Sequence, residues 1–155
     1  MPRPSITWIT SDTHFHHDVL VHENLRPPDN KKLILSEWKR LIAVQDTLIH
    51  LGDVIFYQYQ ELKGILDSVP CRKILTRGNH DKKTNGWYQR NGFDFVCEGL
   101  RLGDYYFTHK PEDYLINVHG HLHLHETIPG KILISLEKLN YKLVKFDNLG
   151  SMVKQ

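Results

Sequence analysis

Five short motifs in this chain carry the side chains that divalent transition metals bind. They contain carboxylates, imidazoles and an amide, which are the oxygen and nitrogen donors suited to such ions. In chain order they are Asp12-Thr13-His14, Gly52-Asp53, Gly78-Asn79-His80-Asp81, Thr108-His109 and Gly120-His121-Leu122-His123. At least four follow a run of β-branched or apolar residues, where a strand ends and a loop begins. Ligands at the ends of several strands can converge on one edge of a sheet, so we expect a hydrolytic centre with two metal ions.

The composition fits one globular domain. The chain has 155 residues, of which 40% are hydrophobic and 25% are charged, and a chain of this size buries a sizeable core. We find no repeat, low-complexity tract or linker, so residues 1–155 are predicted to form a single domain. Eleven histidines are many for this length, and five of them lie in the motifs.

Charge and cysteine usage limit the classes of protein. A net charge of +2 is too small to indicate a nucleic-acid-binding surface. No apolar run approaches the length of a membrane span, and residues 1–4 do not resemble a signal peptide. Cys71 and Cys97 lack CxxC spacing. We interpret them as reduced thiols of a cytoplasmic protein, with a disulfide between them as the alternative.

Hydrophobic spacing predicts strands that alternate with helices in the first half of the chain. Strands are predicted at residues 6–10, 47–51 and 72–76, and helices at 19–24, 35–44, 59–69 and 87–91. Further strands are predicted at 93–97, 105–108, 116–119, 131–136 and 141–146. The first half indicates parallel strands with crossover helices, and the second half indicates a more antiparallel sheet. The expected α/β fold is a layered sandwich of two facing mixed β-sheets flanked by helices.

The ordered motifs D-x-H, GD, GNHD, H and GHxH resemble the calcineurin-like metallophosphoesterase superfamily. They span positions 12 to 123. A D-x-H or a GD alone is a weak signal, but all five in order are highly specific. The short chain and its opening motif, residues 11–15, are similar to small stand-alone prokaryotic or phage phosphodiesterases of this superfamily. His16 stands where a glycine is usual in that subgroup.

The resemblance implies two divalent metal ions per chain, with Asp53 between them. The implied ligands are Asp12, His14, Asp53 and His123 for one ion, and Asp53, Asn79, His109 and His121 for the other. A carboxylate has two oxygens and can hold two ions roughly 3.5–4 Å apart. With two anionic ligands and a bridging hydroxide, the centre would keep a charge of about +1 and attract a phosphate. Mn is the ion expected first, with Fe, Ni, Co or Zn as alternatives.

Other residues are predicted to act outside the ligand set. The resemblance puts His80 beside the phosphate, where it would protonate the leaving oxygen or stabilise its charge. Asp81 could accept from the other ring nitrogen of His80 and fix its tautomer. His17 and Arg26 correspond to residues common in the subgroup and are predicted to contact the substrate, since a guanidinium suits phosphate geometry. His50 is interpreted as a packed, hydrogen-bonded histidine.

These features predict a phosphoesterase that hydrolyses phosphodiester bonds, with a metal-bridging hydroxide as the nucleophile. The sequence shows no separate cap domain, so the site should be open, with residues 15–32 as the candidate loop over it. The expected substrate is a small phosphodiester or nucleotide, and the oligomeric state is left open. One alternative is a nuclease acting on DNA or RNA, which would require a basic groove or a partner domain. The other is a non-catalytic scaffold of the same fold, which would be expected to lose ligands that this chain keeps.

Overall fold

The computed structural model describes residues 1–153, which contain nine strands and five helices. The strands are β1 (Thr7–Thr10), β2 (Thr47–His50), β3 (Arg72–Thr76), β4 (Phe95–Cys97), β5 (Gly99–Leu102), β6 (Tyr105–Thr108), β7 (Ile116–His119), β8 (Lys131–Leu133) and β9 (Val144–Lys145). The helices are α1 (Val19–His22), α2 (Asn30–Leu41), α3 (Leu62–Asp67), α4 (Asn85–Arg90) and α5 (Leu149–Met152), with 3₁₀ turns at Tyr59–Glu61 and Phe146–Asn148.

The strands form two sheets, as predicted. The first sheet has the order β4-β3-β2-β1-β9, and the second has the order β5-β6-β7-β8. In the first sheet β1 to β4 run parallel, and β9 is antiparallel to β1. The prediction of a more antiparallel second sheet is wrong, because β6, β7 and β8 run parallel and only β5 is antiparallel to β6. A two-residue turn, Gly103-Asp104, joins β5 to β6, whereas longer segments carry the chain back between the parallel strands.

Two apolar cores account for the layers of the sandwich. Ile9 and Ile49 of the first sheet pack against Phe107 and Val118 of the second. On its other face, the first sheet packs against helices α2, α3 and α4. Strands β1 and β2 therefore carry apolar residues on both faces, which is typical of parallel strands covered on both sides. The predicted α/β sandwich is confirmed.

Most predicted elements are present, with shifted ends. Helix α2 begins at Asn30 rather than at residue 35, since its first turn carries Lys31 and Lys32, which do not show in an apolar pattern. Strand β5 was not predicted, because it begins at Gly99 and is followed by Gly103, which leaves an apolar run too short to show. Strands β8 and β9 are shorter than the runs predicted at 131–136 and 141–146.

The sheet order brings the five motifs together. The motif loops follow β1, β2, β3, β6 and β7. Because parallel neighbours end at the same edge of a sheet, β1 to β3 deliver three motifs to one edge, and β6 and β7 deliver two. Cys71 and Cys97 are free thiols. Within residues 1–153, no helix is long and apolar enough to cross a membrane.

Candidate metal centre

Two groups of side chains that could each hold a metal ion lie at this edge. One consists of Asp12, His14 and His123, and the other of Asp53, His109 and His121. Within each group the donor atoms lie within 4.8 Å of one another. Asn79 joins the second group, because its Oδ1 is 2.8 Å from Nε2 of His109. The structure therefore brings together all the side chains that the resemblance named as metal ligands.

The carboxylate of Asp53 connects the two groups. Its Oδ2 is 3.5 Å from Nε2 of His14 and 3.3 Å from Nε2 of His109. Its Oδ1 accepts a hydrogen bond of 2.8 Å from the backbone N–H of His80. A single oxygen of Asp53 thus faces both groups, whereas the sequence suggested that its two oxygens would be shared between two ions.

The donor atoms fit divalent cations. Nδ1 of His109 donates to the carbonyl of Leu51 at 2.8 Å, which leaves Nε2 as the ring nitrogen that could bind a metal ion. This Nε2 faces Oδ1 of Asn79 and, at 3.1 Å, Nδ1 of His121. Acceptors that converge in this way favour a cation among them.

The first group fits a cation for a second reason. Oδ1 of Asp12 and Nε2 of His14 are buried without a hydrogen-bond partner among residues 1–153. They lie 3.6 Å apart, and Nε2 of His123 is also 3.6 Å from that oxygen. Ligand atoms that bind one metal ion at about 2.0–2.2 Å lie at separations similar to these 3.6 Å distances. The other oxygen of Asp12 accepts from the backbone N–H of His121 at 2.9 Å.

Several of these residues adopt a backbone conformation that L-residues rarely use. The φ angles are +51° at Asp12, +44° at His14, +56° at Asp53, +69° at His121 and +48° at His123. Each such residue costs roughly 1–2 kcal/mol. Strain of this kind clusters at functional sites, where the surrounding structure holds it. Here the loops turn sharply after their strands and so direct these side chains to one place.

Two motif glycines make room for the carboxylates. A Cβ on Gly78 would overlap Oδ1 of Asp53, and a Cβ on Gly120 would overlap Oδ2 of Asp12. Neither glycine has a positive φ. The reason for glycine at these positions is therefore close approach to a side chain rather than an unusual backbone angle.

The carboxylates of the centre are ionised. Burial by itself would raise the pKa of Asp12 and Asp53, but contacts with His14 and His109 outweigh it and lower both pKa values below their usual range. Ionised carboxylates are the form that binds metal. Burial lowers the pKa of His50 to about 3, so this histidine is neutral.

Comparison with known proteins identifies the family. The family model described as calcineurin-like phosphoesterase matches residues 7–154. The chain belongs to the calcineurin-like phosphoesterase family. A search of curated proteins found no significant match.

Two solved structures share the fold of this chain. A protein of unknown function from Aquifex aeolicus, AQ665, has a TM-score of 0.81 and 22% identity, with 97% of this chain and 100% of that one covered. The nuclease MPE from Pseudomonas putida has a TM-score of 0.56 and 20% identity, with 76% of this chain and 61% of that one covered. At these identities the likeness concerns the fold.

His80 lies beside the group of Asp12, His14 and His123, and its backbone N–H contacts Asp53 of the other group. Its ring centroid is 5.8 Å from that of His14 and 5.1 Å from that of Phe56. Asp81 has a different function from the predicted one. Its oxygens accept from the backbone N–H groups of Gly78 at 2.7 Å, Asp53 at 2.8 Å and Val54 at 3.0 Å. Asp81 therefore ties the second and third motif loops together and does not orient the ring of His80.

Arg26 is also a structural residue rather than the predicted substrate contact. It is 3% exposed. Its guanidinium donates to the carbonyls of Asp12 at 2.6 Å and Thr13 at 2.8 Å, and to Oε1 of Glu137 at 2.8 Å. With its donors directed at the first motif loop and at Glu137, it fixes that loop and is not open to a phosphate.

Glu137 is a site residue that the sequence did not reveal. Its Oε1 accepts from Nδ1 of His123 at 3.0 Å, on the ring edge opposite Nε2. Contacts with His123 and Arg26 outweigh burial and lower the pKa of Glu137 to about 2. A carboxylate behind a metal-binding histidine fixes its tautomer and orientation. A lone Glu after a strand-like run gives no local signal of this contact.

His17 lies at the rim of the centre. Its ring stacks on Phe56 with centroids 3.8 Å apart and lies 5.3 Å from the ring of His14. Burial, followed by the neighbouring His14, lowers the pKa of His17 to about 4. The adjacent His16 has a φ of +62°, a conformation that favours glycine, and its Nε2 is 2.7 Å from Oε2 of Glu61.

The structure confirms that His50 is a packed, hydrogen-bonded residue. It is 0% exposed. Its Nδ1 accepts from the N–H of Gly52 at 3.1 Å, so its Nε2 carries the proton and donates to Oγ1 of Thr13 at 2.9 Å. His50 thereby links the first motif loop to the second from beneath.

Proposed function

We propose that this protein is a metal-dependent phosphodiesterase that acts on small diesters. The observation that carries the proposal is the pair of ligand groups joined by Oδ2 of Asp53, at the strand ends of a calcineurin-like phosphoesterase. Two divalent ions, when bound, supply charge stabilisation for the phosphoryl group and a water of lowered pKa. Mn is the ion proposed first, and the mixed imidazole, carboxylate and amide donors would also suit Fe, Ni, Co or Zn.

The chain's own residues would contribute binding and proton transfer. Asp53 and Asn79 would hold the ions, and the strained loops keep these ligands in place. His80 would donate a proton to the leaving oxygen, because its ring lies next to the ligand groups without belonging to either. His17 would contact the substrate, since its ring lies at the rim of the centre, 5.3 Å from the ring of His14 and stacked on Phe56.

A preference for diesters follows from this arrangement. The alkoxide that leaves a diester needs a placed acid, and His80 would serve as that acid. A monoester dianion carries more charge than a diester and would bind more tightly to a positive centre in the ground state, and such binding does not speed the chemical step. We therefore expect small diesters, including cyclic nucleotides, to be hydrolysed faster than monoesters.

The test compares two chromogenic esters after removal of metal and reconstitution with Mn, Fe, Co, Ni or Zn. We expect kcat/KM for bis(p-nitrophenyl) phosphate to exceed that for p-nitrophenyl phosphate with the best ion. The variant His17→Ala should raise KM for the diester, whereas the exposed His22→Ala should not. A preference for the monoester would reject the diester assignment.

Two further outcomes would support the alternatives. Faster turnover of plasmid, single-stranded DNA or RNA than of small diesters would make the protein a nuclease. Stoichiometric metal binding without hydrolysis of any phosphoester would favour a scaffold. We expect neither outcome, because the net charge of +2 is low for a polymer-binding surface and all the ligand side chains are present.

A further inference from the structure

An apolar pocket adjoins the metal centre on the side of His123. It has a volume of about 260 Å³ and is lined by Leu20, Leu25, His123, Leu124, His125 and Glu137. Leu25 and Leu124 are 42% and 54% exposed. Whole ligands usually occupy pockets of roughly 300–1,000 Å³, so this one fits part of a substrate. Exposed apolar surface next to a reactive centre commonly marks ligand contact.

The wall of this pocket that Leu20 and Leu25 form is held in place relative to the metal centre. The N–H of Leu25 donates to the carbonyl of Leu20 at 2.9 Å, and the N–H of Arg26 donates to the same carbonyl at 3.0 Å. The guanidinium of Arg26 in turn bonds the first motif loop through Thr13. Leu20 and Leu25 are therefore held in a defined position relative to the ligands.

The polar groups at the base of the pocket are already paired. Oε1 of Glu137 accepts from Arg26 and His123, and Oε2 accepts from Oγ of Ser135 at 3.1 Å. Nδ1 of His123 is used in that contact, and its Nε2 faces Asp12. Apart from the exposed ring of His125, a polar substituent would find few free hydrogen-bond partners here and would lose those it had in water. An apolar substituent has no hydrogen bonds with water to lose, and it gains contact with three leucines.

The opposite side of the metal centre is polar and charged. A cleft of about 250 Å³ beside Asn79 and His109 is lined by the charged residues Arg77, Glu98, Lys110 and Glu112. The two sides of the centre therefore differ in polarity, and this favours a substrate whose two ester groups differ.

We infer that the pocket of Leu20, Leu25 and Leu124 holds the ester group that stays on phosphorus, so that the preferred substrate is a phosphodiester with an apolar alkyl or aryl group. This inference rests on the proposed function, in which His80 protonates the leaving oxygen. His80 contacts Phe56 and His14, and neither His80 nor Phe56 lines the pocket. The leaving group is thus on another side, and the pocket remains for the retained group.

The first experiment varies the retained group and keeps p-nitrophenolate as the leaving group. Methyl, n-hexyl, phenyl and thymidine 5′ diesters of p-nitrophenyl phosphate are compared by kcat/KM. Each buried methylene contributes up to about fourfold, so we expect the hexyl and phenyl esters to exceed the methyl ester at least tenfold. The thymidine ester should show no such gain. Equal values for methyl and hexyl esters, or a preference for the thymidine ester, would overturn the inference.

Variants of the pocket leucines test whether the preference for the hexyl ester arises in this pocket. Leu124→Ser and Leu25→Asn should lower the hexyl-to-methyl ratio of kcat/KM toward one. The matched control is Leu115→Ser, because Leu115 is 91% exposed and lines a different pocket with Arg101. The control should keep the wild-type ratio. A ratio that is unchanged in both pocket variants, or lost in the control, would contradict the assignment.

Binding by the wild-type protein gives a readout independent of turnover. With ¹³C-labelled leucine methyl groups, n-hexylphosphonate should shift the resonances of Leu20, Leu25 and Leu124 but not that of Leu115, and methylphosphonate should leave them in place. We expect these shifts even if no diester is hydrolysed. Inert diesters would reject the proposed function but not the pocket. Active diester hydrolysis without leucine shifts would reject the pocket alone.

Discussion

The carboxylate of Glu137 lies 3.0 Å from Nδ1 of His123, on the ring edge opposite the nitrogen that faces Asp12. Glu137→Gln keeps the size of this side chain but removes its charge. We expect it to weaken metal binding at the group of Asp12, His14 and His123 by roughly 10–100-fold. Competition titration of the metal-free protein measures this, with the exposed Glu126→Gln as the matched control. Unchanged affinity in Glu137→Gln would show that His123 needs no such support.

Asp53 should be the residue on which both ions depend. Because its Oδ2 faces His14 and His109 together, Asp53→Asn should remove metal from both groups. His14→Ala, which changes one group, should retain about one ion per chain. Elemental analysis of protein purified in excess Mn gives the stoichiometry, and the exposed Asp113→Asn serves as control. Two ions retained in Asp53→Asn would mean that this carboxylate does not bridge.

His80→Ala should separate proton transfer from metal binding. The backbone N–H of residue 80, which donates to Asp53, persists in this variant, so we expect both ions to remain. The value of kcat should fall by about 10²–10⁴-fold, and less for p-nitrophenolate than for a poorer leaving group. The exposed His22→Ala is the control. Loss of metal in His80→Ala would instead make His80 a ligand.

Asp81→Asn should reduce stability as well as activity. One acceptor oxygen cannot serve the N–H groups of Gly78, Asp53 and Val54, and a buried donor left unpaired costs about 1–3 kcal/mol. We expect a matching loss in the free energy of unfolding in urea, together with weaker metal binding. The exposed Asp104→Asn should change neither. A variant with normal stability and metal content but low kcat would restore the predicted contact with the ring of His80.

Asp46 should contribute stability that depends on pH. Its buried carboxylate accepts from Arg3 at 2.5 Å and from the N–H groups of Ile6, Trp8 and Ala43, each at 2.9 Å. Burial opposes ionisation, but these contacts lower the pKa of Asp46 to about 2.

The unfolded pKa of an aspartate is about 3.9, so this stabilisation is complete above pH 4 and is lost as the pH falls through 2. Asp46→Asn should cost on the order of 2 kcal/mol at neutral pH and should flatten the decline in stability between pH 4 and pH 2. Urea titrations across that range measure the slope. An unchanged slope would show that other carboxylates dominate.

The ligand side chains could be predicted because the family's motifs mark them in order along the chain. Local motifs do not report contacts between distant residues. The interaction of Arg26 with Glu137 joins residues 111 positions apart, so the sequence presented Arg26 as a phosphate-binding cation and gave no reason to notice Glu137. Asp81 was misread for a related reason, because its adjacency to His80 suggested a side-chain contact that the loop conformation does not make.

The hydrogen bond from His121 to Asp12 also joins distant residues, 109 positions apart. Contacts of such separation form late, since closing long loops costs entropy before any contact repays it. Partly folded chains therefore lack the converged ligand groups, and we expect ions to bind the completed fold more tightly than the unfolded chain. An ion present at 100 times its dissociation constant then adds about 2.7 kcal/mol to stability. We therefore expect metal-free protein to be digested faster by a protease than protein reconstituted with Mn.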